Sequence, residues 1–398
     1  MCGKDAPSRQ SMIANPRRDR LQRLRLLLAE NPQFEHGYEE AKRVVRAFRR
    51  PAFYEISTRC NLFCEGCYHF SDSFQAPSNE VKDKAAWEDF FRAEGERGVT
   101  MAYFVGAEPA LEQERLIAAA DHFPYGNIGS NGTIRLDPAI PYRIGVSVWG
   151  VDEEVDTNLR GASAFGKALR NYAGDHRAIM LYTLSKANLA DVPHLVEICA
   201  DHDLPVTFNM YSPTETYMRK LGAHAANDRK YFRISSSESN LLWDTESLDA
   251  TRRVMDEMIE RFPETVVYSP AYNRWATRTG PLYDIDPDTG IARDCHSRMI
   301  GTMRYFRTDM THAADEKCGT SDAICSECRM YSGGWSSKFE LRDEDVASPQ
   351  AFADWIEMIG TLGKIFLIQR PAFPLRQRDR LDCHVPAAVP AAAMEPAE

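Results

Sequence analysis

Six short strand-like segments, most of them apolar and rich in β-branched and aromatic residues, recur along the first half of the chain. They cover residues 52–57, 100–105, 126–130, 143–149, 178–184 and 205–211. Most are separated by stretches in which apolar residues recur every three or four positions, as in amphipathic helices. These helical stretches are residues 84–97, 111–122, 164–173 and 191–203. The connection between the third and fourth strands contains Pro138 and Pro141 and leaves little room for a helix.

This alternation of strands and helices predicts an α/β fold with a parallel sheet and right-handed crossovers. Six units, rather than the eight of a closed barrel, predict an open, partial (β/α)6 TIM-like barrel. Its chemistry is expected at the carboxyl ends of the strands, as in the full barrel. An N-terminal helical extension and a small Cys-rich C-terminal domain complete the predicted architecture.

Five segments are predicted along the chain. A polar tail and helices occupy residues 1–50, and Pro51 ends the last of these helices. The barrel core covers residues 51–212, and residues 213–294 complete the barrel with connecting helices, one of them at 249–262. The Cys-rich domain covers residues 295–384. Residues 385–398 are a Pro/Ala-rich tail that is expected to be disordered.

Charge and cysteine use exclude several classes of partner. The formal net charge of -10 argues against the nucleic-acid backbone as the main partner. No apolar run reaches the length of a membrane span, and the N-terminus lacks the apolar core of a signal peptide, so no membrane association is expected. Most of the ten cysteines are clustered, which favours metal ligation over disulfides and predicts a reducing, cytoplasmic location. Cys2, Cys199 and Cys383 are interpreted as structural or free.

The first cysteine cluster, Cys60, Cys64 and Cys67, has C-x3-C-x2-C spacing and follows the first predicted strand. Three thiolates can hold three irons of a [4Fe–4S] cluster and leave the fourth iron open to a ligand. A half zinc site or a redox pair is the alternative. A zinc site needs a further ligand nearby, and His69 lies too close to Cys67 in sequence to be an obvious one.

The second cluster, Cys295, Cys318, Cys325 and Cys328, has C-x22-C-x6-C-x2-C spacing. Four thiolates close a metal site completely, as in a second [4Fe–4S] cluster or a structural zinc site. The ligand type alone does not decide between an iron–sulfur cluster and zinc.

The first motif, with Tyr68 directly after its third cysteine, resembles the cluster-binding loop of the radical S-adenosylmethionine (radical SAM) enzymes. The resemblance covers residues 52–210, and the second cysteine cluster resembles the auxiliary-cluster extensions of that family called SPASM or twitch. Residues 301–307 resemble the small β-hairpin between the early ligands of those extensions. It implies that S-adenosylmethionine (SAM) binds the open iron through its amino and carboxylate groups. It also implies a second [4Fe–4S] cluster in the C-terminal domain and an electron donor of the flavodoxin or ferredoxin type.

The resemblance also implies roles for residues at the ends of consecutive strands. Gly106-Ala107-Glu108-Pro109 resembles the family's Gly-Gly-Glu-Pro loop, so that Glu108 would accept a hydrogen bond from the SAM ammonium group. Ser130-Asn131-Gly132 resembles the segment that faces the SAM ribose. Ser147 and Arg160 correspond to the residues that hold the methionine carboxylate. The predicted cofactor-binding residues are Tyr68, Gly106, Glu108, Ser130, Asn131, Ser147 and Arg160.

Each of these residues also has a purely structural interpretation. Glu108 is an acid near the start of a helix, where the helix dipole favours it, and Asn-Gly is a common turn dipeptide. Arg160 is four residues from Asp156 and could pair with it along one helix face.

The activity that the resemblance implies is reductive cleavage of SAM to a 5′-deoxyadenosyl radical, which abstracts hydrogen from a small-molecule or peptide substrate in a biosynthetic or modification pathway. An iron–sulfur protein for electron transfer or redox sensing, and a zinc-stabilised binding module, are the alternatives. The sequence identifies neither the substrate nor a catalytic acid or base. The candidates for the substrate pocket, near late strand ends, are Tyr182, Asn209, Tyr211 and Asp294.

Overall fold

A parallel β-sheet forms the centre of the structure, a computed structural model that describes residues 16–71, 79–223, 232–299, 303–313, 317–320 and 322–368. The strands are β1 (Pro51–Ser57), β2 (Met101–Gly106), β3 (Tyr125–Ser130), β4 (Arg143–Val148), β5 (Ala178–Leu184), β6 (Val206–Met210) and β7 (Arg304–Phe306). Their order across the sheet is β6-β5-β4-β3-β2-β1-β7, and every neighbouring pair is parallel. The sequential order is that of an open α/β barrel, which confirms the predicted fold class.

Most of the described helices lie between consecutive strands, while two precede β1 and two follow β7. They are α1 (Pro16–Glu30), α2 (Glu35–Ala47), α3 (Lys84–Arg97), α4 (Gln113–Ala119), α5 (Glu153–Arg160), α6 (Phe165–Tyr172), α7 (Val192–Asp201), α8 (Glu215–Gly222), α9 (Thr245–Arg261), α10 (Pro270–Ala276), α11 (Tyr331–Ser336) and α12 (Pro349–Phe366). Short 3₁₀ turns lie at Pro32–Phe34, Tyr68–Phe70, Pro109–Glu112 and Leu189–Asp191.

Strands β1 to β6 correspond to the six predicted strands, and α3 has the predicted bounds. Helix α3 begins where the Asp83 side chain accepts a hydrogen bond from the Ala85 amide, and it ends at Gly98, whose φ of 89° belongs to the left-handed region. The β3–β4 connection contains no helix, as its two prolines predict. Residues 1–15 and 369–398, with Cys2, Cys383 and the predicted disordered tail, lie outside the described residues.

Strand β7 lies within residues 301–307, the segment of the predicted Cys-rich domain that resembles a small β-hairpin, but its place in the barrel sheet was not predicted. It pairs with β1 in the register Phe53 opposite Tyr305. Three residues are too few to show an alternating pattern, and their partners lie about 250 positions earlier in the chain. The C-terminal segment therefore contributes directly to the barrel sheet.

Helix α12 also was not predicted, although apolar residues recur along it at helical spacing. Its end lies beneath the amino end of the sheet, because Arg143, the first residue of β4, donates to the carbonyls of Lys364 (3.1 Å) and Ile365 (3.0 Å). The Phe366 ring stacks on Tyr331, with ring centroids 5.1 Å apart. Helix α12 thus closes the bottom of the barrel.

All the described residues belong to one compact unit, and the predicted boundaries at residues 50, 212 and 294 stay predictions. Helices long and apolar enough to cross a membrane are absent from the described part of the chain.

Candidate active site

A cavity of about 370 Å³ extends from the loops at the carboxyl ends of the strands into the barrel interior. Its size is in the range of small-molecule sites. All seven clustered cysteines line it: Cys60, Cys64, Cys67, Cys295, Cys318, Cys325 and Cys328. All seven predicted cofactor-binding residues line it too: Tyr68, Gly106, Glu108, Ser130, Asn131, Ser147 and Arg160. Fourteen residues that are dispersed along the chain therefore share one space.

The loop that carries the first three cysteines is held by the end of helix α5. The amides of Phe63 and Glu65 donate to the carbonyls of Arg160 (3.1 Å) and Leu159 (2.7 Å), which have no partner inside the helix. Gly66, with φ of 63°, turns the chain between the second and third cysteines, and a side chain there would collide with the Tyr211 hydroxyl. The sequence and the packing together fix the shape of this loop.

The three cysteines of this loop are half-buried. Burial raises the pKa of Cys60, and burial together with the charge of Cys64 raises the pKa of Cys67. Cys60 Sγ accepts hydrogen bonds from the Leu62 amide (3.4 Å) and the Asn131 side-chain amide (3.8 Å). Thiols must lose their protons to bind iron, and a positively charged metal centre offsets the cost of burying the resulting thiolates. The donor set fits an iron–sulfur cluster.

Glu108 lies at the end of β2 with only 1% of its surface exposed. Its carboxylate accepts hydrogen bonds from the Ala110 amide (2.9 Å), the Ser130 hydroxyl (2.8 Å) and the Asn131 amide (2.7 Å). Burial raises the pKa of Glu108, whereas these donors and Arg160 lower it. Glu108 therefore ties the β2 loop to the β3 loop, and it also caps the 3₁₀ turn that follows, as its structural interpretation predicts.

Gly106 and Ala107 stand at the two glycine positions of the Gly-Gly-Glu-Pro loop that this segment resembles, and their backbone shows why Ala is tolerated at the second position. Gly106 has φ of 138°, and an added Cβ would lie 2.6 Å from the Ser57 carbonyl. Ala107 does not have a positive φ, and its amide donates to the same carbonyl at 2.9 Å. Only the first position requires glycine, so the departure at Ala107 causes no backbone strain.

Asn131 connects the β3 loop with the cysteine loop. Its Nδ2 donates to Asn61 Oδ1 (2.7 Å), and its Oδ1 accepts from the Thr133 amide (3.0 Å) and hydroxyl (2.7 Å). The side-chain oxygen of Ser130 accepts from the Gly132 amide at 3.1 Å. The Ser130-Asn131-Gly132 segment therefore forms a turn, as its structural interpretation predicts, and it also contacts the cysteine loop.

Arg160, the last residue of α5, is 1% exposed and aims its guanidinium at the cavity. Its Nη1 donates to the Ser147 carbonyl (2.7 Å), and its Nε is buried with no hydrogen-bond partner among the described residues. Burial lowers the pKa of Arg160, but the nearby Cys64 and Asp156 outweigh burial and raise it. A buried guanidinium with an unused donor beside the cysteine loop fits a carboxylate ligand.

The alternative pairing of Arg160 with Asp156 is not formed. The Asp156 carboxylate instead accepts from the amides of Ala164 (2.6 Å) and Phe165 (2.7 Å), so it caps the start of α6. Ser147 lines the cavity, and it contacts Arg160 through its backbone carbonyl.

Tyr68 lies between the two groups of cysteines. Burial, followed by the charges of Cys67, Glu55 and Cys318, raises its pKa. Nearby on the same wall, the Tyr305 hydroxyl donates to the buried Glu55 carboxylate at 2.6 Å. The aromatic residue after the third cysteine thus contacts the region between both predicted metal sites.

The second group of cysteines is held against the end of β6. The Ile324 amide donates to the Pro213 carbonyl (3.1 Å), and the Arg329 amide donates to the Ser212 hydroxyl (2.9 Å). Burial raises the pKa of Cys295 and of Cys318 to about 12, and further charges from the other thiols of the group add to this. The four thiols are close enough to interact electrostatically, which fits a shared metal centre.

Within the described ranges, no three His, Cys, Asp or Glu side chains are spaced to hold a single metal ion. In a [4Fe–4S] cluster each thiolate binds a different iron, so the thiolates need not converge on one ion.

Several cavity residues were not predicted from sequence. Tyr103 and Asn127 lie on the inner faces of β2 and β3, Tyr305 on β7, and Phe366 at the end of α12. Successive side chains of a strand point to opposite faces of the sheet, so this alternation along β2 and β3 could have assigned Tyr103 and Asn127 to the inner face. Of the suggested pocket residues, Asn209 and Tyr211 line the cavity. Tyr182 and Asp294 do not: they bond to the Asn188 carbonyl (3.0 Å) and the Asp284 amide (2.8 Å), respectively.

Comparisons with known proteins gave matches among solved structures alone: no family model and no curated protein matches this chain. SuiB of Streptococcus suis bound to S-adenosylmethionine is 14% identical, with a TM-score of 0.46, over 66% of this chain and 59% of SuiB. The structure of anSMEcpe with bound AdoMet is 13% identical, with a TM-score of 0.45, over 66% of this chain and 73% of anSMEcpe. HydG, a maturase of the [FeFe]-hydrogenase, is 10% identical, with a TM-score of 0.34, over 65% of this chain and 64% of HydG. The match thus spans less than two thirds of SuiB, and all three TM-scores lie below 0.5, so the proposals for this chain are based on its own residues.

Proposed function

We propose that this chain is a radical SAM enzyme. It binds a [4Fe–4S] cluster through Cys60, Cys64 and Cys67, and a second [4Fe–4S] cluster through the later cysteine group. When bound, the first cluster and SAM supply a 5′-deoxyadenosyl radical, which abstracts hydrogen from a small-molecule or peptide substrate.

The observation that carries this proposal is that a single cavity brings together both cysteine groups and the whole predicted cofactor-binding set. Electron carriage alone does not require a buried carboxylate, a buried guanidinium and a glycine-dependent loop around the three-cysteine motif. A zinc-stabilised module does not require them either. The arrangement has the residue types that the amino, carboxylate and ribose groups of SAM need.

The chain's own residues have separable tasks in this proposal. Arg160 holds the methionine carboxylate through its unused Nε donor, and Glu108 and Asn131 fix the loops that approach the rest of the cofactor. The aromatic and apolar wall of the cavity excludes water, which protects reactive intermediates from side reactions. A flavodoxin- or ferredoxin-type electron donor and a cytoplasmic location belong to the same proposal.

The test is anaerobic incubation of the iron-reconstituted protein with SAM and dithionite, followed by assay of 5′-deoxyadenosine. We expect wild type to produce it. The Cys60→Ala, Cys64→Ala, Cys67→Ala triple variant should lose about four irons and all production, because a cubane needs its thiolate ligands. Cys199→Ala is the matched control, because this buried thiol packs in helix α7 and does not line the cavity. Production of 5′-deoxyadenosine by the triple variant would disprove the proposal.

The second cluster has its own test. Replacing Cys318 and Cys325 with Ala should lower the iron content from about eight to about four per chain, at four irons per cubane, and leave 5′-deoxyadenosine formation measurable. One zinc per wild-type chain, with iron unchanged in the variant, would show that this group is a structural zinc site, because zinc cannot take up an electron.

A further inference from the structure

Two glycines on neighbouring strands of the barrel have no reason within the protein to be glycine. Gly129 on β3 and Gly145 on β4 are directly paired in the sheet, and both line the cavity. Neither has a positive φ. Glycine inside a strand weakens the strand, so its presence indicates a requirement for close approach by a backbone or a ligand.

The space around these glycines shows that the protein itself makes no such approach. A Cβ added at Gly129 would meet no atom within 4 Å, and at Gly145 the nearest atoms would be 3.7 Å away, an ordinary contact. Gly126 on the same strand provides the contrast, since an added Cβ there would lie 2.5 Å from the Tyr142 ring. Gly126 is required by the packing of the fold, whereas Gly129 and Gly145 leave a flat and open strip of backbone facing the cavity.

One layer deeper in the barrel lies a row of aromatic rings. Tyr305, Phe53, Tyr103 and Asn127 are successive partners across β7, β1, β2 and β3. The Phe53 ring stacks on Tyr103, with centroids 4.5 Å apart and planes 14° apart, and on Tyr305, with centroids 6.0 Å and planes 19° apart. This row forms a wall of nearly parallel rings beside the glycine strip.

Asn127 supplies the polar end of this space. It is 7% exposed, it lines the cavity, and its Nδ2 has no hydrogen-bond partner among the described residues. A buried amide donor without a partner is costly, so a ligand that accepts its hydrogen bond is favoured. Arg143, the residue paired with Asn127 across β3 and β4, already donates to the carbonyls of His176, Lys364 and Ile365.

The depth of the space separates it from the predicted cofactor contacts. Ser147 is two residues closer than Gly145 to the carboxyl end of β4, and Asn127 is two residues closer than Gly129 to the amino end of β3. Two residues along a strand span about 6.6 Å. A group on the glycine strip therefore lies beneath the loops assigned to SAM, with its far end at Asn127. The distance along the strands from the level of Ser147 to the level of Asn127 is therefore about 13 Å, which is long enough for one aromatic ring and its linking carbon.

We propose that Gly129, Gly145, Asn127 and the Tyr305–Phe53–Tyr103 row form a substrate subsite for an aromatic ring that carries a hydrogen-bond-accepting oxygen, such as the phenol of a tyrosine side chain. This inference rests on the proposed function, because it places the substrate beside the predicted SAM site. The glycines provide a flat surface for the ring, and Asn127 donates to its oxygen.

The test measures binding of N-acetyl-L-tyrosinamide, N-acetyl-L-phenylalaninamide and N-acetyl-L-leucinamide to the iron-reconstituted, SAM-loaded protein by equilibrium dialysis. We expect the tyrosine amide to bind about tenfold more tightly than the phenylalanine amide, since one buried hydrogen bond is worth about 1.4 kcal/mol. Asn127→Leu should abolish this preference and leave the affinity for the phenylalanine amide unchanged. Gly129→Ala and Gly145→Ala should weaken both aromatic amides by about fivefold or more, because a methyl group occupies the space of the ring.

Gly360→Ala is the matched control, because Gly360 lies on helix α12, has no atom within 4 Å of an added Cβ and does not line the cavity. Equal binding of the leucine and aromatic amides, or unchanged aromatic binding in both glycine variants, would overturn the subsite. Loss of SAM binding in these variants would also overturn it, because the glycines would then serve the cofactor. The proposed function is tested separately, by 5′-deoxyadenosine formation in wild type without any amide present.

Discussion

Replacement of Arg160 by Met separates its cofactor role from a purely structural role, because only the cofactor role predicts weaker SAM binding. In the structure the guanidinium is almost fully buried, donates to one carbonyl and leaves its Nε unpaired. Losing the bond to Ser147 costs about 1.5–3 kcal/mol, and the attraction of Cys64 and Asp156, which outweighs the cost of burying the charge, is lost with it. Arg160→Met should therefore lower the free energy of unfolding of the cofactor-free protein by about 1.5–3 kcal/mol.

Binding of SAM should respond much more strongly to the same change. A lost charge-assisted bond to the methionine carboxylate, about 1.5–3 kcal/mol, corresponds to a roughly 10- to 150-fold weaker affinity. Isothermal titration of the anaerobically reconstituted protein measures this directly. Decarboxylated SAM should bind wild type and Arg160→Met equally, which isolates the carboxylate as the partner.

Arg177→Met is the matched control for a buried arginine that is fully paired. Arg177 donates to Asp175 Oδ2 at 2.7 Å and to three backbone carbonyls, and it does not line the cavity. Its loss should cost about 3–5 kcal/mol of stability, because it leaves a buried carboxylate unpaired, and SAM affinity should not change. If Arg160→Met instead behaved like Arg177→Met, with lower stability and normal SAM binding, the carboxylate role would be refuted.

Two further predictions concern stability and the cofactor loop. Lys338 lies 3.7 Å above the Trp275 ring, and burial first, then Arg342, lowers its pKa to about 7. Between pH 7 and about pH 10.4 the unfolded chain keeps the proton on this lysine, whereas the folded protein has lost it. The free energy of unfolding of wild type, relative to Lys338→Met, should therefore rise from pH 7 to pH 10. Denaturant titrations that give parallel pH curves for the two proteins would contradict this. Gly106→Ala should abolish SAM binding and lower the melting temperature, because its Cβ would lie 2.6 Å from a backbone carbonyl at positive φ; Ala107→Gly is the control and should leave both unchanged.

Local sequence patterns predicted the parts of the fold that depend on neighbouring residues. Helix α3 has its predicted bounds because Asp83 and Gly98 cap it, and β5 has its predicted bounds because its apolar run is continuous. Helix α4 is shorter than predicted, because Pro109 starts a 3₁₀ turn that occupies its first residues. The positions of the cysteines and of the strand-end loops were predictable because parallel strands end at one edge of the sheet.

The remaining features depend on contacts between distant parts of the chain, which a local pattern does not contain. Strand β7 is identified by its pairing with β1, and Phe366 by its contact with Tyr331 and the barrel floor. The carboxylate of Asp156 could be assigned to helix α6, rather than to Arg160, only after its hydrogen bonds were known. The Gly129–Gly145 pair becomes informative only when the sheet register shows the two glycines side by side.

The pairing of β7 with β1 has a consequence for the order in which the chain folds during synthesis. Strand β1, which leads into the first cysteine loop, lies between β2 and β7, so one of its edges has no neighbour until residues 304–306 have left the ribosome. Until then the backbone groups of Ala52, Phe53 and Tyr54 on that edge are open to pairing with another chain. A polypeptide truncated before β7 should therefore aggregate through this edge, and insertion of the first metal centre into a stable loop should be a late event in biogenesis.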